Sequence, residues 1–362
     1  MIGIRADANS IIATGHMMRC LTIAKAIEKQ GESVTFFMAD EESERLFMSF
    51  CEGRYESVVL GTDYRDMESE LEVLEKELAE RDIEVLLVDS YSVTKNYFDE
   101  LSKVCRTAYL DDLAKEAYSV DLLINYSGYS ENMGYNELYT GIRGHEGQET
   151  KLLLGLLYAP LREQFYSDTE NHLNSNSGRV DILLATGGAD MCNMISGVLD
   201  KALSEGLLPV NESLSINWHV VVGDFVENPA EVEHYAQKSR NVVIHRSVKD
   251  MAGLMRACNL AVLAAGTMLT ECAACGLPAI FYQVADNQKY NVEYFGKLEG
   301  MIFAGAVHSG EEEKALTIES IIDEVKRMIG DRDRMAAMGD SLFKITDGRG
   351  AVRIAKALME EV

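Results

Sequence analysis

The segment that most restricts what this chain can become is residues 4–21, where a short apolar strand breaks into a polar turn and a helix then opens at Thr14-Gly15-His16. A helix that starts straight after a strand presents backbone N–H groups with no partner inside the helix, and its aligned peptide dipoles favour an anion there. One histidine stands at that terminus, and the polar residues Arg5, Asp7 and Asn9 lead into it. The strand-to-helix alternation then repeats. Apolar runs of strand length at 33–39, 57–61, 85–89, 107–110 and 122–125 are separated by helical spacing at 16–29, 65–81 and 95–104. That succession predicts βα units around a parallel sheet.

A polar, Asn/Ser-rich passage at 167–178 interrupts the series, and a new strong strand follows at 180–185. Strands at 218–222, 242–245, 260–264 and 279–282 then alternate with helices near 191–204, 287–298 and 320–329. A chain of 362 residues is long for one core and comfortable for two. The expected division is a Rossmann-like domain at 1–166, a linker at 167–178, a second Rossmann-like domain at 179–346, and a C-terminal helix within 347–362 that can pack back on the first domain. The fold class is α/β, with two open, mostly parallel sheets facing each other across a cleft and the ligand at the carboxyl ends of the strands.

Composition narrows the partners. A net charge of −25 with no run of Lys or Arg disfavours nucleic acid. A phosphate site in such a chain must be built largely from backbone amides. No apolar run reaches the roughly 18–20 residues that span a bilayer, and the first residues enter a strand directly, so the expectation is a cytoplasmic protein, with a monomer favoured. Seven scattered cysteines suit a reducing compartment. Cys272 and Cys275 form a single CxxC inside a helical stretch, which is expected to be core rather than a metal or redox site.

Three constellations could carry chemistry. The positive end of the helix dipole favours a neutral His16, able to take a proton from water, although a histidine at a helix start is often only a cap or a core residue. Arg19 lies on the same helical face and could hold a sugar hydroxyl, a phosphate or an acidic side chain. The second is Thr186-Gly187-Gly188-Ala189-Asp190-Met191-Cys192-Asn193, a strand, Gly-rich turn and helix start whose amides could reach a diphosphate, or which is simply a tight connection. In the third, Gly266-Thr267 precedes a helix carrying Glu271, whose carboxylate could accept two ribose hydroxyls, and Asn287 and Gln288 follow. Asp89, Tyr91, Asp111 and Asp112 stand at the carboxyl ends of first-domain strands, where an Asp also commonly caps the next helix.

The motifs IRADANSIIATGHMMRCLTIAKAI, LVDSY, LDDLA, LLGLLYAPLREQF, TGGADMCN, AAGTMLTECAACGLP and VADNQKYN occur in that order along nearly the whole chain. Together they resemble the UDP-sugar hydrolases of pseudaminic acid (nonulosonic acid) biosynthesis and relatives described as spore coat polysaccharide glycosyltransferases. The second half also looks like the nucleotide-binding domain of MurG-type peptidoglycan transferases. The resemblance implies a GT-B fold with UDP held mainly by the second domain. It implies cleavage of UDP-2,4-diacetamido-2,4,6-trideoxy-β-L-altropyranose, or a similar UDP-linked deoxy-amino sugar, to UDP and free sugar, with inversion at the anomeric carbon and without metal or other cofactor. By the same matching, His16 and Tyr91 would be catalytic, and Arg5, Asp7, Gly15, Arg19, Asp89, Asn287 and Gln288 would line the sugar. Gly187, Gly188, Asp190, Asn193, Ile244, Gly266, Thr267 and Glu271 would hold UDP. Many relatives carry a histidine where this chain has Ser90, which bears on the sugar rather than the nucleotide.

The chemistry implied is coherent. UDP leaves as a stabilised anion, so the step needs charge stabilisation at the diphosphate and a base for the nucleophile. A base at His16 serves water or an acceptor hydroxyl equally, which leaves a hydrolase and a glycosyltransferase both open. A non-catalytic nucleotide-sugar sensor fits less well with an intact histidine in so polar a setting.

Overall fold

The stretches Ile2–Ala6, Val34–Met38, Val85–Asp89 and Leu122–Asn125 are buried at every position rather than alternately, the pattern of a parallel sheet covered on both faces. A computed structural model describes residues 1–9, 12, 14–167, 179–208, 216–223, 225–307 and 310–360. The chain divides into two units, residues 1–162 with 349–362, and residues 163–348. The break after Arg162 comes slightly earlier than expected, because the short turn Glu163–Phe165 docks on the second unit: Gln164 accepts from the Ala252 amide at 3.1 Å and donates to the Lys249 carbonyl at 3.2 Å. Apart from Ser167, the expected linker lies outside the described residues.

The first unit runs β1 (Ile2–Ala6), α1 (Gly15–Glu28), β2 (Val34–Met38), α2 (Glu41–Cys51), β3 (Glu56–Val59), α3 (Leu71–Glu80), β4 (Val85–Asp89), α4 (Lys95–Leu101), β5 (Arg106–Leu110), β6 (Leu122–Asn125), α5 (Tyr135–Leu138) and β7 (Lys151–Leu154). Its seven strands are parallel in the order β3-β2-β1-β4-β5-β6-β7. Ile4, Leu87, Leu110 and Ile124 pack one face against α1 and α2, while Phe37, Leu86, Val88 and Leu123 pack the other against α3 and α4. The order reverses between β1 and β4, so ligands are expected at the carboxyl ends of these two strands.

The second unit runs β8 (Val180–Ala185), α6 (Met194–Ser204), β9 (Ile216–Val222), α7 (Pro229–Lys238), β10 (Val242–Arg246), α8 (Met251–Ala257), β11 (Leu260–Ala264), α9 (Met268–Cys275), β12 (Ala279–Gln283), α10 (Lys289–Phe295), β13 (Met301–Ala306), α11 (Glu311–Gly330) and α12 (Arg332–Phe343). Its parallel sheet has the order β10-β9-β8-β11-β12-β13. Trp218 and Val220 bury one face of β9 under α6, α7 and α11. The final helix, α13 (Gly350–Met359), belongs to the first unit: Ile354, Ala355 and Leu358 are buried with Leu21 and Ala24 of α1. Cys272 and Cys275 are buried free thiols in α9. Among the described residues no helix is long and apolar enough to cross a membrane.

The helix expected over 65–81 begins later, as a tight 3-10 turn at Met67–Glu70 that leads into α3. The last residue of that turn, Glu70, belongs to an ion network in the interior. Arg5, fully buried on β1, donates from Nε and Nη2 to Glu70 at 2.8 and 2.7 Å and from Nη1 to Asp7 at 2.5 Å. Asp7 accepts the Ala39 amide at 2.8 Å, and Tyr97 donates its hydroxyl to Glu70 at 2.8 Å. Burial opposes the charge on Arg5, but Glu70 and Asp7 outweigh it and keep the guanidinium protonated. This corrects the sugar-side expectation for Arg5 and Asp7: all three guanidinium nitrogens and both carboxylate oxygens are spent inside the unit. Arg5→Met would strand two buried carboxylates, and we expect a loss of about 3–5 kcal/mol in stability, read as a lowered unfolding midpoint. Lost activity at unchanged stability would return Arg5 to the sugar.

Candidate functional site

The reversal point of the first sheet gathers side chains from four separate places. His16 enters on the first turn of α1, and its Nδ1 lies 2.5 Å from Oδ1 of Asp89, the last residue of β4. Arg19, one turn further on, grips the same carboxylate with Nε and Nη2, both at 2.6 Å. Its Nη1 donates to Asp112 at 2.9 Å and to the Tyr126 hydroxyl at 2.8 Å. Tyr91, two residues beyond β4, sets its ring edge-on to His16, with centroids 4.7 Å apart, and donates its hydroxyl to Asp112 at 3.0 Å.

Burial alone would raise the Asp89 carboxyl, but Arg19, and after it His16, hold it well below the usual carboxylate range. An ionised carboxylate accepts only, so the His16 ring donates Nδ1–H to it, and this fixes the tautomer whose lone pair is on Nε2. The 3.2 Å approach of Arg19 Nη2 to His16 Nδ1 is then two donors side by side on one acceptor. Among the described residues no partner is placed on Nε2. Asp89 is 1% exposed with both oxygens engaged, so it orients His16 and does not reach a sugar, a correction to its expected place. Arg19 is likewise committed to acidic side chains, one of the three partners its position allowed. Gly15 opens α1 with no described atom near its missing side chain. Tyr126, placed here by the end of β6, was missed; its position directly after a strand was the available signal.

In the second unit, β8 ends in an exposed turn in which Gly187 adopts a φ of +88°, a conformation that suits glycine. Gly223 approaches so closely that a Cβ there would lie 2.4 Å from the Gly188 carbonyl oxygen. Asp190 folds back and accepts the Met194 and Ile195 amides at 2.8 and 3.0 Å, while Asn193 takes a left-handed φ of 49°, which delays α6 to Met194. Burial pushes the Asp190 carboxyl up despite these two bonds. Asp190 thus uses both carboxylate oxygens to cap the Met194 and Ile195 amides at the start of α6.

The start of α9 is different. No side chain caps it, Thr267 is exposed, and a Cβ on Gly266 would meet no described atom within 4 Å. The Leu269 and Thr270 amides close on the Gly266 and Thr267 carbonyls at 3.2 and 3.0 Å, and the amides of Thr267 and Met268 remain to receive an anion. Glu271 sits half-buried in the first turn of the same helix, and Ile244 lies half-buried on β10. Asn287 is exposed, whereas Gln288 uses its side-chain oxygen to hold the Val284 amide at 2.8 Å, which leaves its amide nitrogen for any ligand. Exposed Met191 and Phe225 flank the Gly187-Gly188 turn; the sequence reading included Met191 in that turn without a role and did not find Phe225.

No known family profile matches the chain. It is 22% identical over 359 residues to the spore coat polysaccharide biosynthesis protein SpsG of Bacillus subtilis, covering 99% of this chain and 98% of that one. It is also 22% identical over 284 residues, 78% of its length, to the Helicobacter pylori pseudaminic acid cytidylyltransferase and UDP-2,4-diacetamido-2,4,6-trideoxy-beta-L-altropyranose hydrolase. An uncharacterized Methanocaldococcus jannaschii protein, MJ1062, matches at 22% over 309 residues, 82% of this chain. The chain spans only 44% of the Helicobacter protein and 58% of the Methanocaldococcus one. Among solved structures, Acinetobacter baumannii MurG superposes with a TM-score of 0.63 at 14% identity, covering 99% of both chains. The Neisseria meningitidis UDP-GlcNAc 2-epimerase bound to UDP-GlcNAc gives 0.65 at 11% identity, covering 100% of both. The chain therefore has the GT-B fold, and its sequence is similar to those of SpsG and of the altropyranose hydrolase.

Proposed function

We propose that this protein releases UDP from a UDP-linked deoxy-amino sugar by attack of water at the anomeric carbon with inversion, in the making of a surface polysaccharide or nonulosonic acid. The observation that carries the reading is the His16–Asp89 pair: a histidine whose Nδ1 proton is committed to a carboxylate that Arg19 keeps ionised, with Nε2 left as the proton acceptor. The similarity to the Helicobacter protein, whose name includes hydrolase of a UDP-linked deoxy-amino sugar, supports the same reading. The second unit takes the diphosphate at the uncapped start of α9 and the Gly187-Gly188 turn, with Glu271 on the ribose. Backbone amides there stabilise the charge that develops on departing UDP, so the reading needs no metal.

A transferase reading has one support of its own. A stretch of 167 residues, 45% of this chain, is 25% identical to a Glaesserella parasuis N-acetylglucosamine transferase whose substrate is a pyrophosphoryl-undecaprenol, and an acceptor hydroxyl would then replace water. UDP release from UDP-2,4-diacetamido-2,4,6-trideoxy-β-L-altropyranose, with EDTA and no acceptor, decides between them: prompt release is expected here, and release only on adding an acceptor would establish the transferase.

His16→Ala should lower turnover by about 10²–10⁴ while UDP affinity, measured by calorimetry, stays nearly unchanged. Loss of both would make His16 a structural residue. Asp89→Asn should also slow turnover by about 10²–10⁴, because the ring loses its orienting anion. The depressed Asp89 carboxyl contributes stability that is present above the ordinary carboxylate range and lost as pH falls through its own lower value. The Asn variant should accordingly unfold more easily near neutrality and show a flatter loss of stability in acid, as followed by thermal denaturation.

A further inference from the structure

Asp112 was not among the residues matched to a role, yet it settles which way the hydrogen bonds of this site run. Asp111, beside it, turns back on its own loop and accepts the Leu113 and Ala114 amides at 2.8 and 3.1 Å, which leaves Asp112 to face α1 and Tyr91. Its Oδ2 receives both the Arg19 guanidinium and the Tyr91 hydroxyl. A carboxylate cannot donate, so Tyr91 must, and a phenol has one proton. Burial and the Asp112 charge push that phenol further up, which keeps it protonated. Tyr91 Oη therefore offers only lone pairs to anything that approaches. His16, whose ring centroid is 4.7 Å from that of Tyr91, has spent its Nδ1 proton on Asp89, so its neutral ring also offers a lone pair.

We propose that Asp112 is a positioning residue that makes this end of the first unit a pair of acceptors, and that the pair selects water over an alcohol as nucleophile; the inference rests on the reading that a UDP-sugar is cleaved here. Water carries two protons on one oxygen and can donate to His16 Nε2 and Tyr91 Oη together, which aims its lone pair outward. In the step, the water oxygen bonds to the anomeric carbon and the carbon–oxygen bond to phosphate breaks with its electron pair leaving on UDP. One water proton passes to His16 Nε2, and the other stays on the new sugar hydroxyl, held by Tyr91. An alcohol has one proton, so it satisfies one acceptor and sets its carbon against the other, which is an unpaired polar group at the cost usual for one.

The test is the partition of product between free sugar and methyl glycoside when the full-length protein turns over UDP-2,4-diacetamido-2,4,6-trideoxy-β-L-altropyranose in water–methanol mixtures. Wild type should give little methyl glycoside. Tyr91→Phe keeps the half-exposed ring and removes the second acceptor, so hydrolysis should fall about tenfold and the methyl glycoside share should rise several-fold. Asp112→Ala frees the Tyr91 proton and should raise the same share. In the Tyr91→Phe background Asp112→Ala should add nothing to the partition, since Asp112 acts through Tyr91. Hydrolysis by wild type with a partition that neither variant moves overturns the inference alone. Wild type that releases no UDP without an added acceptor overturns the underlying reading and the inference with it.

Discussion

The bidentate grip of Arg19 on Asp89 is the contact on which the first unit's site depends. It joins the start of α1 to the end of β4, and everything else is aligned from those two points. Because the carboxylate is ionised and saturated, His16 has one ring orientation that pairs Nδ1, and the spare guanidinium nitrogen reaches Asp112 and Tyr126. Planar guanidinium geometry suits this work better than an ammonium would, since several acceptors are met at fixed angles. A buried ion pair is a weak source of net stability but a strong source of geometric definition at this position.

The two units handle charge in opposite ways. The first collects buried carboxylates and meets them with Arg5 and Arg19 from the interior. The second exposes turns and the uncapped start of α9, so that partial charges on amides do the work of a cation. A chain with a net charge of −25 repels polyanions at long range, yet such local amide clusters remain able to hold a small one.

Much of the fold was legible because buried parallel strands read as unbroken apolar runs; β1, β2, β4, β5, β6, β8, β11 and β12 lie where those runs fall. Strands β7 and β13 escaped because they are half-exposed edges, and the short helices α7 and α8 carry too few turns for a clear period. At the site, His16, Asp89 and Tyr91 could be picked out by their places after strands. What each one touches could not. The partners of Arg19 are 70, 93 and 107 residues away, and no local pattern told that Arg5 would turn inward to Glu70, 65 residues on. Local spacing locates polar residues near strand ends; only the assembled sheet decides which of them neutralise one another.

The return of α13 to the first unit has a consequence for how the chain is made. The second unit is continuous in sequence and complete once residue 348 has been synthesised. The first is not: the face of α1 that carries Leu21 and Ala24 is closed by Ile354, Ala355 and Leu358, which emerge after the second unit. During synthesis the unit that begins first is thus the one that finishes last, with an apolar helix face uncovered while the whole second unit is built. That order reverses the usual N-terminal-first progression of multidomain chains, and it makes the closing ten residues of α13 the step that ends exposure to aggregation and to chaperones.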